Sequence, residues 1–532
     1  MLGVIKCRHH VFDWVVDERR AAPDNHEASV IAINGMFPGP TINVTMGDSV
    51  EVNLRNRLGR PFTLHWHGIT QKNSQNADGV PYVTQDPIPH NAQYKYRFSI
   101  PDQAGTFWYH AHTKLDADVA FGALIVHEPK PILNKAMHLD ARFKYAEERV
   151  LLLSEIWHKS NEEMYDRLTS SPFRSFPTPN SILTNGRTYA EWDQNASPNL
   201  PFNDGYSIIT VKPNTRYRLR IIGAQDRSFF TFQIPGHRFT VIEADGTLVK
   251  PFETDHVDIN SGQRYSVILQ TNTKPQNYLM YTTIIGGGSA VKNGIAILHY
   301  EGSQDPTLFS RSVQTMPPNP RMASTWFDDQ LATLISHDIE LPTSFTQSSI
   351  INAQLDKDGD LSIYKINNVI HRPRNTTLLP SIFSKTYTPA PGMVDIRSDG
   401  QGVQMVLQNL ILPGIGCSPH PWHMHGHSFY VVARGEGIFD PRIHNRQIEA
   451  SLRKNPIPIL RDTFTLFPSG TQPTYRNTAP ASSPPGNPQA LRSCGWTAIR
   501  FKANNPGSWI MHCHIAAHMV QGMQFLLNEH PN

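Results

Sequence analysis

Segments that alternate strictly between apolar and polar side chains recur along the chain at wide intervals. In one, Val50, Val52 and Leu54 alternate with Ser49, Glu51 and Asn53; in the next, Tyr217, Leu219 and Ile221 alternate with Arg216, Arg218 and Arg220. Side chains two residues apart lie on the same face of a β-strand, so each segment predicts a half-buried strand. A third segment, Val403, Met405 and Leu407 against Gln404 and Gln408, predicts a strand whose polar face is interrupted by Val406.

The spacing of these strands indicates how the chain divides. They start at residues 50, 217 and 403, and so lie 167 and 186 residues apart, which is the size of a domain rather than of a solenoid repeat. Gly 34 and Pro 42 among 532 residues make a turn-rich composition that suits many short strands. We therefore predict an all-β chain of three related β-sandwiches, with domains at residues 1–130, 131–305 and 306–532.

The charge balance excludes several classes of partner. Lys and Arg total 48 and Asp and Glu total 45, a formal net charge of +3, so no strong field favours nucleic acid or another polyanion. The longest apolar runs, such as residues 150–153 and 410–412, are far shorter than the roughly 18 residues that a membrane span requires. We expect neither a nucleic-acid partner nor a membrane span.

The sequence gives mixed indications about the compartment. Residues 1–10 lack the long apolar stretch of a secretory signal, so either the protein is intracellular or the numbering begins after processing. Three glycosylation sequons, at Asn43, Asn195 and Asn375, favour secretion. Four cysteines, Cys7, Cys417, Cys494 and Cys513, are too few for a disulfide scaffold at this length. Of the two locations, we predict a secreted or cell-wall protein.

Histidine is the most informative residue type, because many of the 25 histidines fall in four tight clusters near the ends of the chain. The clusters are His65-Trp66-His67-Gly68, Trp108-Tyr109-His110-Ala111-His112, His420-Pro421-Trp422-His423-Met424-His425-Gly426-His427, and His512-Cys513-His514-Ile515-Ala516-Ala517-His518, the last followed by Gly522-Met523. On a strand, each His-x-His pair presents two imidazoles side by side. Imidazole favours zinc, copper, iron or nickel, so the clusters predict metal sites.

The fourth cluster discriminates between these metals. One thiolate, two imidazoles and a distant thioether form the trigonal site of blue copper, whereas structural zinc usually takes several cysteines in Cys-x-x-Cys pairs, which this chain lacks. Cys513 can ligate one copper while its neighbours His512 and His514 ligate others. A covalent path would then join two metal centres, which is typical of an electron-transfer conduit.

The order and spacing of the four clusters resemble the signature of the multicopper oxidases, the three-cupredoxin-domain family that contains laccases, ascorbate oxidases and ferroxidases. The resemblance covers essentially the whole chain and implies that each β-sandwich is a cupredoxin-like Greek key. It also implies four copper ions. The type 1 ligands would be His420, Cys513 and His518 with Met523 axial; the type 2 ligands His65 and His423; and the type 3 ligands His67, His110, His112, His425, His512 and His514.

The same resemblance implies an activity. Four one-electron oxidations of a small-molecule donor at the type 1 copper would feed electrons through Cys513 to a trinuclear cluster, where O2 becomes two waters. This reaction consumes protons, and Asp78, shortly after the first cluster, matches an acid that family members place near the copper cluster. We predict that Asp78 belongs to a proton relay; the alternative is a turn residue, because Asp-Gly favours turns.

The sequence leaves the donor open. Met523 favours an ascorbate oxidase or a laccase of lower potential, because laccases often carry Phe or Leu there. Ascorbate oxidases usually have Trp where Ser175 stands, and laccases commonly have an acid near the position of Asn180, where this chain has none. We predict oxidation of a small phenolic, aromatic or enediol donor, with a ferroxidase or a copper-binding protein without turnover as alternatives.

Two departures from the family pattern concern single positions. Ala516 stands where many relatives have an acid, which puts a second proton route in doubt. Asp86 stands where many relatives have a cysteine, so a common disulfide cannot form from that position. Cys417 and Cys494 could still pair within the third domain.

Overall fold

The fold comes from a computed structural model, which describes residues 7–129, 143–171, 176–189, 205–285, 294–306, 326–334, 340–371, 377–379, 392–411, 416–467 and 492–531. The sequons at Asn195 and Asn375 and the site of Ser175 lie outside these ranges. The regular secondary structure of the described residues is mostly β-strand, arranged in six sheets, with few helices.

Two four-stranded sheets form the first sandwich. Its strands are β1 His9–Ala21, β2 Ala28–Ile33, β3 Ile42–Thr45, β4 Ser49–Asn56, β5 Leu64–His67, β6 Gln93–Ser99, β7 Gly105–Ala111 and β8 Phe121–His127. The sheet orders are β2-β1-β4-β6 and β3-β8-β7-β5. Short 3₁₀ turns occupy Gln75–Ala77 and Asp116–Asp118. Strands β1 and β4 pair in parallel, although β2 and β3 lie between them in the sequence.

A six-stranded and a five-stranded sheet form the second sandwich. Its elements are β9 Glu147–Ile156, α1 Asn161–Thr169, β10 Ser181–Thr184, β11 Ser207–Val211, β12 Arg216–Gly223, β13 Phe230–Gln233, β14 Phe239–Ala244, β15 Thr247–Thr254, β16 His256–Ile259, β17 Arg264–Gln270, β18 Tyr278–Ile284 and β19 Gly294–Tyr300. The sheet orders are β10-β9-β12-β17-β14-β15 and β11-β19-β18-β13-β16.

The third sandwich has a seven-stranded and a five-stranded sheet. After a 3₁₀ turn at Phe327–Gln330, its elements are β20 Gln347–Asp358, β21 Leu361–Ile366, β22 Val369–Ile370, β23 Met393–Ser398, β24 Gly402–Ile411, β25 His420–Met424, β26 Phe429–Gly435, α2 Pro441–Lys454, β27 Leu460–Arg461, β28 Thr463–Leu466, β29 Arg492–Lys502, β30 Gly507–Cys513, α3 Ala516–Val520 and β31 Gln524–Pro531. The orders are β22-β21-β20-β24-β29-β26-β27 and β23-β31-β30-β25-β28. The predicted all-β architecture of three sandwiches is confirmed, while the domain limits at 130 and 305 stay predictions.

All three strands that alternation predicted are present, as β4, β12 and β24. The half-buried character expected of β12 is wrong, because Arg218 and Arg220 are buried along with the apolar face. Arg220 donates to Glu148 at 2.7 and 2.8 Å and to the Thr106 hydroxyl of the first sandwich at 2.8 Å. The polar face of β12 is therefore an interface between sandwiches, where charged side chains are paired rather than solvated.

A buried ion-pair network joins the second and third sandwiches. Arg264 donates to both carboxylate oxygens of Asp462 at 2.6 Å. Arg461 reaches back to Asp245 at 2.8 Å and to Asp328 at 2.8 Å. Because each arginine pairs across the interface, the network fixes how the two sandwiches dock beside the histidine strands.

Cys417 and Cys494 form a disulfide, as the sequence allowed, and it ties the segment preceding β25 to β29. Cys513 is buried and takes no part in a disulfide. Within the described ranges, no helix has the length and apolar character needed to cross a membrane.

Candidate metal centre

The sheet registers bring the four histidine clusters together in pairs. In the first sandwich, β5 and β7 pair antiparallel, which sets His65 opposite His110. In the third, β25 and β30 pair antiparallel, which sets His423 opposite His512. These two strand pairs face each other where the sandwiches meet, since the rings of His67 and His423 stack with centroids 3.7 Å apart.

One group of potential ligands lies within the third sandwich. The Cys513 sulfur is 3.7 Å from His420 Nδ1 and 3.6 Å from His518 Nδ1, and the two nitrogens are 3.2 Å apart. His420 and Cys513 are buried, whereas His518 is half-buried. Two imidazoles and a thiol converging on one point match the donor set of a trigonal copper site.

The other eight predicted histidines form three converging groups between the first and third sandwiches. The groups, in each of which the ligand nitrogens lie within 4.8 Å of one another, are His65, His67 and His423; His67, His110 and His514; and His112, His425 and His512. Every predicted histidine ligand therefore falls in one of these groups or beside Cys513.

Hydrogen bonds fix which ring nitrogen of most of these histidines faces the centre. Six donate through Nδ1: His65 to the Asp78 carbonyl, His110 to the Ala111 carbonyl, His423 to the Asp462 carbonyl, His512 to the Cys513 carbonyl, His425 to the Asp78 carboxylate and His514 to the Ser261 hydroxyl, at 2.7 to 3.0 Å. Their Nε2 lone pairs are left for a metal. His67 is reversed: its Nε2 lies 3.3 Å from Asp462, and its Nδ1 lies 3.1 Å from His514 Nε2.

The electrostatics of the site favour the neutral form of eight of the ligand rings. Burial, together with repulsion among the neighbouring rings, lowers the pKa of His67, His110, His112, His423, His425 and His514 well below the usual value. Burial also lowers the pKa of His512 to about 4 and that of His420 to about 3. Neutral imidazole is the form that ligates metal, so the rings are ready to bind at neutral pH.

Unsatisfied buried atoms indicate that the centre fits a metal cluster. The Nε2 atoms of His65, His110 and His423 are buried and have no hydrogen-bond partner among the described residues. Orphaned buried polar atoms cost free energy unless a ligand satisfies them. All three face the ligand groups, so the residues present fit metal ions coordinated by imidazole.

The surroundings of Cys513 and Met523 bear on whether this group can bind a metal. Burial raises the pKa of the Cys513 thiol, so a metal must supply the charge that stabilises the thiolate. Met523 is fully buried, and its carbonyl accepts the Cys513 amide at 2.9 Å. Met523 therefore lies beside Cys513, immediately before strand β31.

Asp78 lies against the histidines, as a member of a proton relay would. It is fully buried, and one carboxylate oxygen accepts from His425 Nδ1 at 2.9 Å. The other oxygen is 3.3 Å from His65 Nδ1 and lacks a hydrogen-bond partner among the described residues. The carboxylate thus has one free oxygen inside the centre.

The remaining histidines make contacts of another kind. His427 bonds to Glu529 at 2.7 Å, His158 to Asp24 at 2.9 Å and His237 to the Tyr300 hydroxyl at 2.8 Å. None of the three belongs to a converging group of ligands within the described residues. Each has a hydrogen-bond partner outside the proposed metal centre instead.

Sequence reasoning missed two acids at the centre. The backbone carbonyl of Asp462 accepts a hydrogen bond from His423 Nδ1. Its carboxylate lies 3.3 Å from His67 Nε2 and also accepts from Arg264. Asp226, from the second sandwich, accepts the Ala516 amide at 2.5 Å, next to the position where the family acid is absent. Neither acid has a sequence spacing that links it to the histidine clusters, so no local motif could have found them.

The environment of Asp226 predicts a pH dependence of stability. Burial, with repulsion from Glu155, raises the pKa of Asp226 to about 7. Above pH 4 the folded state therefore retains a proton that the unfolded chain has lost, so this group lowers the free energy of unfolding as pH rises toward 7. The Asp226→Asn variant keeps the acceptor for Ala516 and should gain stability relative to the wild type as pH rises from 4 to 7.

Melting temperatures of both proteins from pH 4 to 8 check this expectation. The exposed Asp102 gives a matched control, because Asp102→Asn should run parallel to the wild type at every pH. A constant difference between Asp226→Asn and the wild type across the range would contradict a raised pKa.

Comparisons with known proteins agree with this geometry. Three multicopper oxidase family models match residues 15–131, 147–303 and 363–532. The L-ascorbate oxidase of Nicotiana tabacum is 32% identical, with 98% of this chain and 90% of that protein covered. Laccase-1 of Agaricus bisporus is 29% identical, with 100% and 92% covered.

Solved structures share the fold along almost the whole chain. A laccase from Botrytis aclada superposes with a TM-score of 0.76 at 28% identity, covering 99% of this chain and 89% of that one. Fet3p, a multicopper oxidase that functions in iron import, gives a TM-score of 0.76 at 24% identity with 98% and 90% covered, a likeness of fold alone. The three cupredoxin sandwiches, the convergent histidines and these matches together show that the chain belongs to the multicopper oxidase family.

Proposed function

We propose that the chain holds four copper ions in the sites that its histidine groups outline. His420, Cys513, His518 and Met523 would hold a type 1 copper, and His65 and His423 a type 2 copper. The type 3 pair would be held by His67, His110 and His514 on one side and by His112, His425 and His512 on the other. The observation that carries this assignment is the set of three converging groups, in which the buried Nε2 atoms of His65, His110 and His423 have no hydrogen-bond partner among the described residues.

The protein is an oxidoreductase that couples oxidation of a small donor to reduction of O2. Bound copper would supply one-electron redox chemistry, which suits oxidation of a donor near His420, Cys513 and His518 and four-electron reduction of O2 to water among the eight histidines between the sandwiches. The chain supplies the route between the sites, because Cys513 ends β30 covalently flanked by His512 and His514. Each of these neighbours belongs to a different type 3 group.

The donor would meet the protein at His518, the one half-buried member of the thiol group. Tyr364 packs beside it, with ring centroids 5.1 Å apart. Arg227 is close enough for its positive charge to lower the pKa of His518 further, after the dominant effect of burial. A guanidinium beside the entry favours anionic donors, so phenolates and enediolates suit this site better than Fe(II).

The compartment and the domain roles belong to the same proposal. A secreted or cell-wall location is supported by the Cys417–Cys494 disulfide, since such bonds persist in oxidising compartments. Asn43 of the first sequon is exposed on β3, where it could carry a glycan. The first and third domains would bind copper, and the second, within residues 131–305, would border the donor side through Arg227.

Steady-state O2 consumption with three donors tests this function. The copper-loaded protein should show a blue visible band and should oxidise ascorbate or a methoxyphenol faster than Fe(II). Faster consumption with Fe(II) would instead support the ferroxidase alternative. A blue band without O2 consumption by any donor would support a copper-binding protein without turnover.

A further inference from the structure

The second sandwich supplies none of the proposed ligands, yet one of its loops lies against them. The loop of residues 260–263 joins β16 to β17. All four of its residues are buried, at the point where the three sandwiches meet. Ser261 is fully buried, and its hydroxyl oxygen is 2.8 Å from Nδ1 of His514 in the third sandwich.

The direction of that hydrogen bond follows from the proton count. A serine hydroxyl has one proton to donate. Carbonyl oxygens, which can only accept, lie 2.6 Å away at Gln225 and 3.1 Å away at His514, so the proton is directed to them. The hydroxyl oxygen must then accept from His514 Nδ1–H. This places the proton of the neutral ring on Nδ1 and leaves the Nε2 lone pair facing the centre, 3.1 Å from His67 Nδ1.

The loop is held firmly enough to impose this geometry. Asn260 donates to the Thr465 hydroxyl at 3.3 Å, and Gln263 donates to the Asp328 carboxylate at 3.1 Å. Gly262 lies so close to the rings that a Cβ there would be 2.9 Å from His67 Cε1 and 3.0 Å from His514 Cδ2, and its φ is +82°. The loop therefore touches one ligand from the first sandwich and one from the third.

We infer that Ser261 is a positioning residue of the trinuclear site. Through Ser261, the second domain, which supplies no metal ligand, sets the tautomer of His514. It thereby controls copper occupancy at the group formed by His67, His110 and His514. This inference rests on the proposed ligand assignment. Partners of this kind typically change metal affinity by about 10–100-fold when they are removed. The second domain would thereby strengthen copper binding at a site to which it gives no ligand.

The Ser261→Ala variant tests the inference through copper binding rather than turnover. It removes the acceptor, so the Nδ1–H of His514 loses its partner and the ring no longer prefers the tautomer with Nε2 free. In titrations at buffered free copper, the EPR-silent copper of the coupled type 3 pair should appear at concentrations about 10–100-fold higher than in the wild type. The blue band of the type 1 site, which Ser261 does not touch, should form as in the wild type.

Two further variants separate positioning from general damage. Ser261→Thr keeps a hydroxyl at the same place and should restore copper binding to near the wild-type concentration range. Ser154→Ala makes the same change at another buried serine of the second sandwich, whose hydroxyl has no hydrogen-bond partner among the described residues, and should bind copper normally. Melting of the copper-free proteins shows whether each variant is folded.

The outcomes distinguish the inference from the assignment beneath it. If folded Ser261→Ala acquires EPR-silent copper at the wild-type concentration, Ser261 does not position His514 and the inference is wrong. The inference is equally wrong if Ser154→Ala loses the pair to the same extent. If the copper-loaded wild type itself contains no EPR-silent copper, the ligand assignment fails, and with it the premise.

Discussion

Replacing Cys513 by serine should abolish the blue band and reduce donor oxidation by more than about 100-fold, because a change at a ligand costs more than the 10–100-fold typical of outer partners. A serine hydroxyl cannot replace the soft thiolate that copper prefers. The eight histidines between the sandwiches do not depend on the Cys513 sulfur, since six of them are oriented by carbonyl, carboxylate or hydroxyl oxygens. Cys513→Ser should therefore retain its type 2 and type 3 copper.

The measurements are copper content, EPR and O2 consumption with ascorbate or a methoxyphenol. Cys7→Ser is the matched control: the same substitution at an exposed cysteine should leave all three unchanged. Full activity in Cys513→Ser would contradict the electron path through this residue. Loss of all copper would contradict the independence of the two groups of ligands.

Replacing Asp78 by asparagine should slow O2 reduction by about 10²–10⁴-fold, the range typical of losing a positioned proton donor or acceptor. The amide oxygen can still accept from His425 Nδ1, so the ring orientation and the copper content should be kept. Asp78→Ala removes the acceptor as well and should also weaken copper binding. The pair of variants thus separates a proton function from a positioning function.

The fully reduced protein is mixed rapidly with O2, and the rate of its reoxidation is recorded across a range of pH. This rate measures O2 reduction separately from donor oxidation. Asp24→Asn is a suitable control, because Asp24 is another fully buried acid bonded to a histidine, His158, but lies outside the centre. If Asp78→Asn reoxidises at the wild-type rate, Asp78 is not a proton relay. An equal loss of reoxidation rate in Asp24→Asn would show that the effect is not specific to the aspartate at the metal centre.

Much of the fold and family could be predicted because the relevant signals are local. Alternation over five or six residues, as at Val50 and Leu219, reports a strand directly, since side chains two apart share a face. The His-x-His pairs are equally local, and Cys513 between two histidines distinguishes copper from structural zinc. Sheet pairing then sets His65 opposite His110 and His423 opposite His512, whereas the three histidine groups also require the first and third sandwiches to dock.

What the sequence could not predict depends on contacts between sandwiches. Arg218 and Arg220 have the pattern of a solvated strand face, yet the first sandwich covers them. Asp226 comes within hydrogen-bond distance of Ala516 although the two are 290 residues apart in sequence, and Ser261 contacts His514 across 253. No periodicity or spacing records such pairs, because docking of whole domains creates them.

The number of donor electrons consumed per O2 tests the central claim most directly. The protein loaded with copper is supplied with a one-electron donor, and donor loss, O2 loss and hydrogen peroxide are measured in the same reaction. A multicopper oxidase with a complete trinuclear site should consume four donor equivalents per O2 and release no peroxide. Two equivalents per O2 with peroxide as the product would contradict the claim that the eight histidines of the first and third sandwiches hold a cluster that reduces O2 to water.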